Sequence, residues 1–229
     1  MNLNFLLIAV LAVFAVCIIQ GYRKGFLRIV ISLIGTILIV ATVFAISPYV
    51  SKLLIDRSGA YDKIKGKVER VFTEDNAKLD NTIPENQELT IDSYQVPDLL
   101  KNALKENNTE ETYKQLMVEL FEDYIAGYLS RLIIKASSFI GVFLLLSIGL
   151  WLALKSADLI AKIPIIKGFN KFLGVIVGFL EALMIVWVFF VVVIMFLGNE
   201  TGSKLMEEIY RSPVLTFLFN ENILMKYLT

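Results

Sequence analysis

Four long apolar stretches divide the chain. Leu3–Ile19 carries no charge, and Leu27–Ile46 has Arg28 at its edge and Pro48 just past its end. The third runs from Leu132 to Leu154 with Lys135 near its start, and the fourth, Phe172–Leu197, holds Glu181. A hydrocarbon layer about 30 Å thick needs roughly 20 such residues in a helix. No stretch shows the polar stripe at every third or fourth position that marks a helix half-covered by water. Inside a bilayer each amide must be paired within its own segment, so helices are the natural form. The pattern predicts an all-α integral membrane protein with four transmembrane helices, helices 1 and 2 in residues 1–47 and helices 3 and 4 in 132–198. The first stretch lacks a basic start and is longer than the apolar run of a signal peptide, so it reads as a retained helix.

The remaining polar segments are a long loop, 48–131, and a tail, 199–229. In the loop, Lys52–Phe72 has Leu53, Leu54, Ile64, Val68, Val71 and Phe72 spaced among charges, which predicts a surface helix. Thr73–Pro97 is polar, contains Pro84 and Pro97, and reads as irregular. Asn108 with Glu111 at the third helical position then predicts a capped helix. Its apolar stripe of Tyr113, Leu116, Met117, Leu120, Phe121, Tyr124, Ile125 and Tyr128 points on into the third span. Two readings of this amphipathic stripe stand side by side: packing on its own loop or the lipid headgroups, and docking of another protein.

Composition agrees with the pattern and removes whole chemistries. Of 229 residues 56% are hydrophobic and 19% charged, against about 45–50% and about 25% in soluble domains. Histidine is absent, which excludes histidine triads, histidine-ligated metals and histidine proton shuttles. The one cysteine, Cys17, excludes an intramolecular disulfide. The 22 basic residues balance 22 acidic ones, so no overall basic field draws nucleic acid. No nucleophile–base pair or metal cluster is visible, and the expectation is a non-enzyme with no cofactor, whose certain partner is the lipid bilayer.

Charge placement predicts orientation. Arg23, Lys24 and Arg28 stand without an acid in the first turn, and Lys155, Lys162, Lys167 and Lys171 face only Asp158 in the third connection. The long loop is acidic, with 11 basic against 16 acidic residues between Ser47 and Arg131. The excess of positive charge in cytoplasmic loops then puts both termini, the loop 48–131 and the tail 199–229 outside.

Two features could carry chemistry within the membrane. Glu181 stands ten residues into its stretch, roughly 15 Å deep at helical rise. It is therefore paired, protonated or facing a polar cavity unless its helix enters the membrane later than Phe172. Arg28 and Lys135 are candidate partners for it, and both are also near enough to a boundary to reach the headgroups. Small residues recur at every fourth position in Gly174/Gly178/Ala182, Ser137/Gly141, Gly149/Ala153 and Ala41/Ala45, a spacing that lets membrane helices approach closely. Packing within one bundle and self-association through the fourth helix both use such faces.

One motif runs Gly21-Tyr22-Arg23-Lys24-Gly25-Phe26-Leu27-Arg28 and continues to Ser32-Leu33-Ile34-Gly35; a second runs Asn170-Lys171-Phe172-Leu173-Gly174 to Gly178. In this order and with helices around them, they resemble the two signatures of the CvpA family, named for colicin V production. The resemblance covers most of 1–54 and 132–197 and leaves the loop insert outside. It implies a bacterial cytoplasmic-membrane protein linked to toxin production or export and to envelope physiology, a context and not an activity. That context, the absent active-site chemistry and the amphipathic loop helix together point to a non-catalytic accessory or scaffold factor with a membrane-protein partner or a second copy of itself. A small oligomeric channel or transporter using Glu181 is the alternative. Physically, Gly21 and Gly25 would permit a tight turn, Arg23, Lys24 and Arg28 would meet anionic headgroups, and Phe26 would anchor the interface.

Overall fold

The structure, a computed structural model, describes residues 4–24, 26–72, 83–156 and 169–229. In chain order its helices are α1 (Phe5–Lys24), α2 (Phe26–Arg57), α3 (Ala60–Phe72), α4 (Pro84–Ser93), α5 (Asp98–Glu106), α6 (Glu110–Leu116), α7 (Phe121–Ser156), α8 (Phe169–Met195), α9 (Glu200–Tyr210), α10 (Pro213–Asn220) and α11 (Ile223–Leu228). Four of them, α1, α2, α7 and α8, are long and apolar enough to cross a membrane. The all-helical class and the four spans agree with the apolar pattern.

The spans pack as antiparallel neighbours. Gly21 of α1 meets Gly174 of α8, while Cys17 meets Gly178. In the other pair, Phe44 of α2 lies against Phe139 of α7 with ring centroids 5.6 Å apart, and Gly35 faces Leu150. Both α2 and α7 also touch α8, which closes the bundle. Asn4 Nδ2 donates to the Glu208 carbonyl at 2.7 Å, so the start of α1 and the segment after α8 share one end of the bundle with the α2–α7 connection. That end is called the loop end below.

Pro48 does not stop α2, which continues to Arg57. Proline removes the amide that would bond the carbonyl four residues back, here Phe44. A freed carbonyl in an apolar setting needs another donor, and the Tyr227 hydroxyl supplies it at 2.9 Å. The break comes instead at Ser58 and Gly59, where Gly59 adopts φ +60°, a conformation glycine takes without penalty. The expected helix 52–72 is thus divided between the end of α2 and α3.

Other differences have similarly local causes. Residues 73–82 of the stretch read as irregular lie outside the described residues, but Pro84 opens α4, in the first turn where a missing amide costs nothing. The cap of α6 is Thr109, one residue after Asn108, and its side chain accepts from Thr112 N. Helix α6 ends at Met117, which adopts φ 56°, so the apolar stripe is split between α6 and α7. From Phe121 onward α7 is unbroken through Lys135 and into the span.

The tail is folded. Asn199 caps α9 by accepting from Gly202 N, Ser212 caps α10 with Pro213 in its first turn, and Asn222 caps α11 by accepting from Leu224 N and Met225 N. Each helix is short and gains its stability from packing, which a local periodicity reading does not reveal. Met206, Ile209, Leu215, Phe219, Leu224, Met225 and Leu228 join one core with Tyr124, Leu129, Phe139, Val186 and Phe190 of the spans.

Candidate functional site

The structure brings the two sequence motifs together, although they are some 150 residues apart. A Cβ on Gly21 would overlap the Gly174 carbonyl oxygen, and one on Gly178 would stand 2.5 Å from the Cys17 carbonyl oxygen. No side chain fits there, so α1 and α8 meet backbone to backbone. Gly21 is therefore a close-approach residue inside a helix and not the turn residue its position implied; among the described glycines only Gly59 has positive φ. Tyr22 and Lys171 repeat the pairing, with Lys171 Nζ 5.1 Å from the Tyr22 ring centroid. Gly174, Gly178 and Ala182 are buried on this seam, so the small-residue stripe of α8 is filled from within the chain. The Ala41, Ala45, Gly141 and Gly149 positions face outward.

The rest of the first motif is looser. Arg23 and Lys24 are exposed, and Lys24 Nζ donates to Gln20 Oε1. Phe26 opens α2 half-buried, the Ser32 carbonyl accepts from Thr36 Oγ1, and Gly35 lies in ordinary contact with Leu150. Gly25, the Arg28 and Asn170 side chains, Ala153 and the connection 157–168 lie outside the described residues. Glu181 sits on α8 one turn beyond Gly178, half-buried, with no hydrogen bond or ion pair to any described residue. Lys135 is not its partner: Lys135 Nζ donates to the Leu228 carbonyl at 2.9 Å.

At the loop end a second layer is locked onto the spans. Tyr124 is fully buried on α7, donates its hydroxyl to the Leu104 carbonyl and stacks on Tyr113 with centroids 5.1 Å apart. Tyr128 donates to the Thr229 carbonyl at 2.8 Å and accepts from Asn107 Nδ2. Most of the stripe thus packs on its own loop, as the first of the two readings expected, while Met117 and Leu120 point outward. Lys65 of α3 bridges to Asp123 at 2.8 Å. Burial works against the Lys65 ammonium, yet the hydrogen bond and charge of Asp123, with Glu69, hold its pKa above the usual lysine value. Burial, with the charge of Glu122, pushes the Tyr113 phenol up to about 12.

Tail and loop also meet each other. Lys101 Nζ donates to the Asp92 carbonyl at 2.9 Å and lies over the Tyr210 ring, and Leu99 N donates to Asn220 Oδ1 at 3.1 Å. Between them opens a cleft of about 390 Å³, floored by Phe72, Tyr94, Val96, Leu197 and Met206 and rimmed by Glu200, Lys204 and Glu207. Burial raises the Tyr94 phenol well above its ordinary pKa. Among the described residues no three Cys, Asp or Glu side chains gather as metal ligands. The residues that the sequence did not expose are Tyr227, Asn222 and Trp187; of these only Tyr227 had a signal, an unpaired carbonyl implied by Pro48.

Residues 112–220 fit the family model described as Colicin V production protein. The match contains the second motif, Asn170 to Gly178, and starts within α6, so it takes in the last part of the loop and much of the folded tail; the first motif falls outside it. No curated protein and no solved structure matches the chain.

Proposed function

Residues 112–220 are a domain of the colicin V production protein (CvpA) family in a chain with four apolar spans, and from that premise we propose a non-catalytic accessory or scaffold protein of the bacterial cytoplasmic membrane. Its context is toxin production or export and envelope physiology, and its loop end lies outside the cell. The observation that carries this reading is the layer at the loop end. It is fastened to all four spans through Asn4, Phe44, Lys135 and Trp187. Such an arrangement holds a folded surface rigidly above a membrane, which is what a scaffold requires, and Met117 and Leu120 stand exposed on it.

Photo-crosslinkers at Met117 and Leu120 in native membranes test the reading. It expects a distinct membrane or envelope protein whose loss reproduces the phenotype of deleting this chain. A second reading, a small oligomeric channel or transporter, is favoured by Glu181, a half-buried carboxylate in a span with no described partner. Self-crosslinks alone, together with an ion flux abolished by Glu181→Gln, would replace the first reading with the second.

A further inference from the structure

We infer that α10 and α11 form a hairpin seated in the bilayer, with phospholipid acyl chains covering its outward side, so that the chain meets the membrane through this element as well as through its four spans. Helix α10 is apolar on both faces, and the outward side of the hairpin is charged only at Glu221 and Lys226, which pair with each other. Leu215, Phe219, Leu224, Met225 and Leu228 are buried against the bundle, while Phe217 is 64% and Ile223 59% exposed, with no described residue covering them. A helix that is apolar all round belongs inside protein or in lipid. One side here has protein, and the other has none.

Its level places that bare side beside the spans. Asn222 Nδ2 donates to the Trp187 carbonyl at 3.0 Å, and Trp187 Nε1 donates to the Leu218 carbonyl at 3.2 Å. Trp187 stands eight residues before the end of α8, roughly 12 Å back along its axis. Tyr227 reaches Phe44, in the apolar run of α2, with ring centroids 4.2 Å apart. The lipid-facing surface of α2 therefore continues onto α11 without a step.

The polar groups are arranged as a bilayer demands. Thr216 Oγ1 donates to the Ile209 carbonyl, Asn220 accepts from Leu99 N, Asn222 is fully used by its cap and Trp187, and Glu221 pairs with Lys226 at 2.9 Å. In lipid every polar group must find such an internal partner. The Tyr227 hydroxyl on the Phe44 carbonyl is the same device acting across two elements.

The test needs no substitution. The full chain in phosphatidylcholine vesicles is photolysed with a diazirine carried on a lipid acyl chain, in parallel with a water-soluble diazirine, and labelled residues are located by mass spectrometry. The lipid probe should mark Phe217 and Ile223 within about threefold of Leu145, an outward residue of α7, because all three would face acyl chains. Labelling of 213–228 by the water-soluble probe alone would overturn the inference. Labelling by neither, with Leu145 still marked, would overturn it too, because protein would then cover the hairpin.

Discussion

Along its first twenty residues α7 is sunk in protein: Tyr124, Ile125, Ala126, Ala136 and Phe139 are fully buried. Beyond Gly141 the same helix turns Leu144, Leu145, Ile148 and Trp151 outward, each more than half exposed. The first half carries Glu122, Asp123, Arg131 and Lys135 and the second only Lys155, yet apolar residues predominate in both and their surroundings differ. The first half is held by loop and tail helices through side-chain packing and directed hydrogen bonds. The second is a span whose outward residues have lipid as their apolar surroundings, where tails are as apolar as leucine and exposure costs nothing. Apolarity therefore identifies a helix that leaves water without saying whether protein or lipid receives it.

The largest expected effect breaks that contrast directly. Tyr124→Ala should cost about 3–5 kcal/mol, as for a large buried aromatic, whereas Leu145→Ala should change stability by less than about 0.5 kcal/mol. Unfolding followed in mild detergent micelles measures both, and equal losses would show that the halves do not differ. Next is the seam between α1 and α8. Gly178→Val has to move the α1 backbone and should cost about 1–3 kcal/mol or more, while Gly141→Val, with open space around its Cβ position, should be silent by the same assay.

A smaller effect sharpens the role of the tail. Tyr227→Phe leaves the Phe44 carbonyl unpaired and should cost about 1–2 kcal/mol. In a Pro48→Ala background the restored amide can take that carbonyl, so the same change should cost markedly less. A double-mutant cycle reads the coupling, and additive losses would mean that Tyr227 does not mend the α2 ladder. The smallest effect is one of pH. The folded Tyr113 phenol is raised from 10 to about 12, so the folded form keeps a proton that the unfolded form gives up. Stability from this group is full below about pH 10 and lost as pH rises towards 12. Tyr113→Phe should flatten that alkaline decline in a pH series of melting curves, and an unchanged decline would assign it elsewhere.

Much of the bundle was legible because a span needs only length and apolarity, and both are local. The positions of Gly174, Gly178 and Ala182 also announced a close helix contact, but α1 as its partner could not be read, since one face of small residues fits any backbone. Pro48 illustrates the opposite failure. Proline usually ends a helix, and only a donor 179 residues later in the chain, Tyr227, lets α2 continue. The tail escaped notice because α10 and α11 are short, and their order comes from Trp187, Lys135 and Phe44, none of which is near in sequence. Glu181 was found by its cost in lipid, and that same reasoning does not supply its partner.

Hydrogen–deuterium exchange of the full chain in phosphatidylcholine vesicles tests most directly whether the loop end is a folded layer fastened to the spans. The fastened layer requires slow exchange over 98–106, 121–135 and 200–228, approaching that of the span residues 136–150. Exchange within seconds over 200–228, with only the four spans protected, would contradict it.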